Sequence, residues 1–311
     1  MRKRERTAPF ITASDSVRTL MLDALIALIP ALAWATYCYG TRALLVAATA
    51  VAVSVICDLV MSLIVRRSLG ITDLSAVVTG LIFSFMMPCD ARLRFVACGA
   101  AFAVVAAKGL FGGIGKNILN PAVCGRLFVQ LAFGNALNTP EMLRGTEVLD
   151  TLRKGDIPEL HIADMFMGDM GGAMGEISSL LLIAGGAYLL LRGVADWRIC
   201  ASFAVSAAAV AFVLCPHYDK ISWISGQILS GGLLLAVFFL ASDPVTSPVS
   251  PMGRFVYGAL GGALAIVFRM YIPFTDGVYI AVLAANILAR PIDMLMMPRV
   301  FGSKTKIESK E

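Results

Sequence analysis

Long apolar runs, separated by short clusters of charge, glycine and proline, follow one another along almost the whole chain. Ten can be marked off: Leu20–Tyr39, Ala43–Val65, Leu74–Met87, Leu93–Phe111, Ile118–Phe133, Ile177–Leu191, Ile199–Leu214, Ile224–Ala241, Arg254–Tyr271 and Val278–Met296. A helix needs about 20 apolar residues to cross about 30 Å of hydrocarbon, so the pattern predicts an all-α polytopic membrane protein. Three of the runs are short for that span and are expected to be broken or tilted. The long polar pieces are the tails, 1–19 and 298–311, and one loop, 134–176.

Charge orients the spans. With the N-terminus in the cytoplasm, Arg2, Lys3, Arg4, Arg6, Arg66, Arg67, Lys108, Lys116, Arg192, Arg198, Arg254 and the basic C-terminal tail share one side. The other side keeps Arg42, Arg92, Arg94, Lys220 and the loop residues Arg144, Arg153 and Lys154. This positive-inside bias puts both termini in the cytoplasm and the long loop outside. Composition agrees: 58% of residues are hydrophobic and 15% charged, against about 25% charged in a soluble domain. No soluble domain is visible. Seven cysteines, mostly inside apolar runs and without a CxxC pair, read as small packing residues.

The two halves repeat. "SAVVTGLIFSFMMP" (75–88), "GAAFAVVAAKGLFGG" (99–113) and "NILNPA" (117–122) are echoed in order by "SGQILSGGLLLAVFFLASDP" (225–244), "GALGGALAIVFRMY" (258–271) and "NILARP" (286–291). Five spans per copy is an odd number, so the second copy, 177–297, enters the membrane inverted relative to the first, 20–133. Inverted repeats with Gly/Pro-interrupted segments at matching places put a site at the repeat interface. The stretch "GGIGKNILNPAVCGR" (112–126) is one such interruption, and "NILARP" (286–291) with Pro291 is its counterpart, so broken fifth and tenth spans are expected to frame a polar cavity. Lipid cannot hydrogen-bond a free peptide group, so irregular backbone at membrane depth faces protein or a polar cavity. Asn117 and Asn120, with Asn286 in the second half, are candidate cavity residues, and Lys116 or Arg126 candidate phosphate partners. The stretch lacks the glycine spacing and the Ser or Thr of a Walker loop.

"SDPVTSPVSP" (242–251) is too proline-rich for a regular helix. Asp243, Thr246 and Ser247 supply ligands or caps there. Asp58 lies within the second span. It reads either as part of an ion pathway or as an interfacial partner of Arg66. Asp23 sits close to the interface, and Glu176 opens the sixth span, where an acid is favourable. The two histidines, His161 and His217, lie in external loops. No Ser/His/Asp pattern, His metal cluster or nucleotide glycine motif is present, so any redox chemistry must come from a bound cofactor. Nothing in the sequence points to nucleic acid.

The segments "MLDALIALIPALAWATYCYG", "ITDLSAVVTGLIFSFMMP", "AAKGLFGGIGKNILNPAVCGRLF", "DMFMGDMGGAMGEISSLLLIAGGAYLLLRGVADWR", "ASDPVTSP" and "DGVYIAVLAANILARPID" resemble the RnfD/NqrB family. This family comprises the D subunit of the Rnf electron-transport complex and the B subunit of the sodium-pumping NADH:quinone reductase. The resemblance runs through nearly the whole chain in family order. It implies a ten-span inverted repeat similar to that of urea channels. It also implies bound FMN, with a second flavin as a further expectation, in a prokaryotic inner-membrane complex. That complex moves electrons between ferredoxin and NAD, coupled to Na+ or H+ translocation. The implied partners are iron–sulfur and NAD-binding subunits, an external flavin subunit and other membrane subunits.

One departure stands out. The family esterifies FMN to a threonine in the external loop, within a motif of the type Ser/Thr-Gly-Ala-Thr-Pro-Leu. Here the loop reads "NTPEMLRGTEVLDTLRKGD", and alignment puts Glu147 at the acceptor position, with Thr146 beside it and Thr139 earlier. A carboxylate cannot replace that hydroxyl. Attachment at Thr146, attachment at Thr139, and non-covalent or absent flavin all stay open. The inverted repeat alone fits a channel or transporter for a small polar solute equally well, and a flavin-free structural subunit is the other alternative.

Overall fold

The computed structural model describes residues 16–65, 73–113, 115–134, 137–157, 162–167, 171–216, 219–272 and 276–297. Arg66, His161, His217, most of the N-terminal tail and all of the C-terminal tail therefore lie outside the described residues. Among the described residues the chain is helical, with no strand. The first half holds α1 (Val17–Tyr39), α2 (Thr41–Ile64), α3 (Ser75–Phe85), α4 (Leu93–Phe102) and α5 (Pro121–Ala132); a π-helical stretch, Ala103–Gly109, extends α4. The loop holds α6 (Pro140–Lys154), α7 (Ile162–Met167) and a 3₁₀ turn, Met174–Glu176. The second half holds α8 (Ser179–Leu191), α9 (Trp197–Leu214), α10 (Lys220–Leu229), α11 (Leu233–Leu235) with a π-helical stretch Ala236–Leu240, α12 (Pro251–Tyr271) and α13 (Gly277–Met296).

Each of the ten apolar runs carries a helix, but length divides them. Five helices, α1, α2, α9, α12 and α13, are long and apolar enough to cross a membrane. The pair formed by α10 and Leu233–Leu240 makes a sixth if counted as one span, bent by 62°. α3, α5 and α8 are shorter apolar helices.

The helices start where the sequence supplies a cap. Ser16, Asn120, Ser178, Asp196, Asp219, Ser250 and Asp276 each accept a backbone N–H of the first turn, and Pro121 and Pro251 occupy first-turn positions. Such caps satisfy donors that an apolar medium would leave bare. α3 is nearly all buried, and its end feeds the fully enclosed Phe83, Phe85, Met86 and Met87. Along α12, Gly258 and Gly262 face the Ile199 and Phe203 backbone of α9 with no room for a Cβ. This is the small-residue spacing that lets helices approach closely in lipid.

One expectation is corrected. The tenth segment is not interrupted: α13 runs from Gly277 to Met296 with Pro291 inside it. Proline removes one donor there, and the packed face of Val278, Ala281, Val282 and Ala285 carries the helix through. The second half breaks in its eighth segment instead, at Ser230–Gly232, where Gly231 takes φ +63°.

Candidate functional site

A mainly apolar cavity with a few polar groups in its wall lies between α1, α3, the end of α8, the 117–122 turn and the start of the proline-rich turn. Its polar groups are Ser75, Thr79, Lys108, Asn117, Asn120, Ser242 and Asp243, and residues such as Ile82, Phe238 and Phe239 make up the apolar wall. Its enclosed volume is about 90 Å³, below the roughly 300–1,000 Å³ of preformed small-molecule sites.

Lys108 provides its cation. The π-helical stretch turns this side chain inward, leaving it 4% exposed. Its Nζ donates to Asp58 Oδ1 at 2.9 Å and to Ser75 Oγ at 2.7 Å. Ser75 Oγ in turn donates to Asp73 Oδ1 at 2.7 Å, and the same carboxylate caps Ser75 N. Asp58 thus has a buried partner across the bundle. The charge pattern puts Lys108 among the cytoplasmic basic residues, but its side chain is buried within the bundle. The signal was a cation embedded in the apolar "VVAAKGLF", where a lysine costs several kcal/mol unless it is paired.

The 112–126 stretch divides its residues. Asn120 caps α5, accepting Ala122 N at 3.1 Å, and its Nδ2 reaches Leu240 O of the other half at 3.5 Å. Asn117 is buried and lines the cavity, and its Oδ1 has no hydrogen-bond partner among the described residues. Lys116 is exposed and lies off the cavity. Arg126 is 1% exposed and faces elsewhere: Nε donates to Met86 O and Nη1 to Gln130 Oε1, each at 2.8 Å. Of the two expected phosphate partners, neither lines the cavity.

Asp243 lines the cavity and organises the turn beyond it, accepting from Val245 N at 3.1 Å and Thr246 Oγ1 at 3.3 Å. Ser247 N bonds Asp243 O at 3.1 Å. Thr246 and Ser247 therefore serve the turn. Asn286 lies deep in α13, accepts Tyr257 OH at 2.7 Å and leaves its Nδ2 unpartnered. It faces protein, not unwound peptide.

The loop residues named as flavin candidates fall on α6. Thr139 is its N-cap, accepting Met142 N at 3.4 Å. Thr146 is half-buried, two turns further along, and donates to Met142 O at 2.8 Å, while Glu147 is exposed. Arg153 fastens α6 to the second half, with Nε on Arg269 O at 2.7 Å and Nη2 on Ile272 O at 3.0 Å. At the other side Gly145 abuts Gly172 so closely that a Cβ there would stand 2.5 Å from the Gly172 Cα.

Beneath α6 lies a second buried polar group. Arg269 Nε donates to Asp276 Oδ1 at 3.0 Å, and its Nη1 to Gln227 O. Asp276 caps the broken eighth segment through Gly232 N at 2.8 Å. Glu176 receives Tyr279 OH at 3.2 Å.

Comparison with known proteins brings these elements together. The profile of the NQR2, RnfD, RnfE family matches residues 5–302. The chain is 32% identical over 314 residues to the D subunit of the Na(+)-translocating ferredoxin:NAD(+) oxidoreductase complex of Acetobacterium woodii, covering 98% of this chain and 97% of that protein. It is 28% identical over 327 residues to the D subunit of the proton-translocating ferredoxin:NAD(+) oxidoreductase complex of Clostridium ljungdahlii, covering 96% of each. Similarity extends to the B subunit of the Na(+)-translocating NADH-quinone reductase of Pseudomonas aeruginosa, 34% identical over 237 residues, with 70% of this chain and 58% of that protein covered.

Proposed function

The chain belongs to the NQR2, RnfD, RnfE family, and from that premise we propose how it serves an ion-translocating oxidoreductase complex. It is a multi-pass membrane subunit of an Rnf/Nqr-type complex. The finer reading is a ferredoxin:NAD oxidoreductase of Rnf type, in which this subunit carries flavin and helps couple electron flow to the movement of Na+ or H+. The observation that carries it is the match of nearly the whole chain to D subunits of such complexes. One of these relatives is named for sodium and another for protons, so the ion is a property of the individual sequence.

We read the ten helical segments as ten spans in two inverted repeats. The packing supports this: α1 lies against α8 and α5 against α13, first segment on first and fifth on fifth. The cations Lys108 and Arg269 also occupy corresponding segments, Lys108 donating to Ser75 at the start of α3 and Arg269 to the Ser230 carbonyl at the end of α10. In this reading the termini are cytoplasmic and α6 is external.

Residues at two places would hold flavin in this reading. On α6 the Thr146 and Thr139 hydroxyls are the ester candidates. In the cavity, which would have to widen to admit a ring, Asn117 Oδ1 would accept a hydrogen bond from the flavin, and Asn120, Lys108 and Thr79 would add polar contacts. Flavin supplies the electron-transfer chemistry when bound; the chain's residues hold it, exclude lipid and set the local charge. The Asp58–Lys108 pair, adjoining the cavity, is the candidate ion-pathway element.

The test is the purified complex. Flavin fluorescence on this subunit after denaturing electrophoresis supports an ester, and flavin released on denaturation supports non-covalent binding. An active complex with no flavin on this subunit overturns the reading in favour of a structural role.

A further inference from the structure

Three carboxylates are buried among the described residues: Asp23, Asp276 and Glu176. Asp23 pairs with Arg192 and Asp276 with Arg269. Glu176, 5% exposed, has no cation within ion-pair distance among the described residues. It accepts Tyr279 OH at Oε1, 3.2 Å away, and Ala173 N at Oε2, also 3.2 Å away. Two neutral donors offset only part of the cost of a buried charge, so its place penalises the ionised carboxylate and leaves it ready to accept a proton.

Its surroundings connect it in two directions. Toward the loop, a Cβ on Gly172 would stand 2.5 Å from Glu176 Oε2, and Gly172 packs on Gly145, next to Thr146. Gly172 N also bonds Glu141 O at 2.8 Å. Toward the membrane core, the Tyr279 hydroxyl lies over Gly232, at the break between α10 and α11. The charged and titratable groups around the carboxyl are Arg126 from α5, Asp276 and Tyr279 from α13, Arg269 behind Asp276 from α12, and Glu141 and Arg144 from α6. Burial, with Asp276 adding to it, pushes the Glu176 carboxyl up to about 7, against smaller opposing effects of Ala173 N–H, Arg126 and Tyr279.

We propose that Glu176 is a proton-binding site that takes up a proton when negative charge arrives at the turn of α6 above it and releases the proton when that charge leaves. The inference rests on the reading that flavin sits on α6. In the step, one O–H bond forms on the Glu176 carboxylate as one O–H bond of a hydronium ion or buffer acid at the loop surface breaks. The electron stays on the redox group, and no further bond changes. Tyr279 positions the carboxyl and stands between it and the broken eighth segment. The protein thereby balances, within one layer, a charge that would otherwise bear on the buried Asp276–Arg269 pair.

The test is reduction-minus-oxidation infrared difference spectroscopy on the intact complex, reduced with dithionite at pH 7, in H₂O and D₂O. The expected wild-type spectrum gains a protonated-carboxyl band on reduction, shifted down in D₂O. Glu176→Gln should remove that band entirely. Tyr279→Phe keeps the carboxyl but removes its donor, so the band should stay and move to higher frequency. Flavin bands that appear normally with no carboxyl band, or with the same band in Glu176→Gln, overturn the proposal and leave the flavin reading standing. If Glu176→Gln fails to assemble, a band unmoved in Tyr279→Phe overturns it. Absence of flavin bands from α6, seen as identical spectra with and without this subunit's threonines, overturns both.

Discussion

Lys108 Nζ stands 2.9 Å from Asp58 Oδ1, the ammonium 4% and the carboxylate 13% exposed. Fifty residues separate them in sequence, and neither has another ion partner among the described residues. Two charges removed from water offset each other only while both are present. Lys108→Met should therefore strand Asp58 and lower stability by about 3–5 kcal/mol, seen as a fall in the unfolding temperature of the detergent-purified protein. Adding Asp58→Asn should restore much of that loss. Strict additivity of the two single effects would show that the pair is not coupled.

Thr139 and Thr146 differ in what they hold, which separates structure from attachment. Thr139→Ala removes the N-cap of α6 and should cost about 1 kcal/mol of helix stability. Thr146→Ala removes only a hydroxyl bonded back to Met142 O and should leave stability within about 0.5 kcal/mol of wild type. If the ester is on Thr146, the Ala variant loses in-gel flavin fluorescence while keeping its fold. Fluorescence retained in Thr146→Ala and lost in Thr139→Ala would move the attachment to the cap.

The fold was legible wherever a local signal decided it. The ten apolar runs all became helices, and Pro121 and Pro251 marked helix starts as their missing donors require. Pro291 misled because the consequence of a lost donor depends on the helices packed around it, which the order of residues does not display. The cavity was half legible. Asn117 and Asn120 announced themselves as amides among apolar residues, and both line it. Lys108 and its link to Asp58 were not, because burial of a lysine is set by a π-helical turn and by a partner fifty residues away. Arg126 looked available for phosphate until the fold supplied Met86 O and Gln130 as partners.

Asn117 offers a test of the cavity. Its Oδ1 is a buried acceptor without a partner, an arrangement that costs about 1–3 kcal/mol in the absence of a ligand or water. Asn117→Leu should leave the unbound protein as stable as wild type, or more so, while lowering non-covalently bound flavin at least tenfold. Flavin content measured after gentle denaturation reads the second effect. Unchanged content would remove Asn117 from the cofactor site.

Gly262 tests the helix contact that frames the second half. Its Cα faces the Phe203 carbonyl and Ser206 with no space for a methyl group, so Gly262→Ala must push α9 and α12 apart. Overpacking of this kind costs about 1–3 kcal/mol. The expected result is a lower unfolding temperature and a lower yield of assembled complex, with the effect of Gly134→Ala on packing as a control, since nothing lies within 4 Å of a Cβ at Gly134. Equal assembly of Gly262→Ala and wild type would show that α9 and α12 are not held at this distance.

Glu176 sets a pH dependence whose sign is fixed. Its carboxyl is raised from 4.5 to about 7 in the folded protein, by burial first and by Asp276 second. Between those values the folded state binds a proton that the unfolded state has already released, so stability falls as pH rises. The contribution is complete below pH 4.5 and is lost as pH rises through about 7. A shift of that size corresponds to about 3 kcal/mol across the window. Glu176→Gln keeps the shape and the hydrogen bond from Tyr279 but cannot ionise. Its unfolding temperature should therefore fall less between pH 5 and 8 than that of the wild type, and the variant should gain on the wild type at pH 8. Parallel curves for the two proteins would mean that Glu176 is ionised in both states and that the buried layer under α6 carries a full charge.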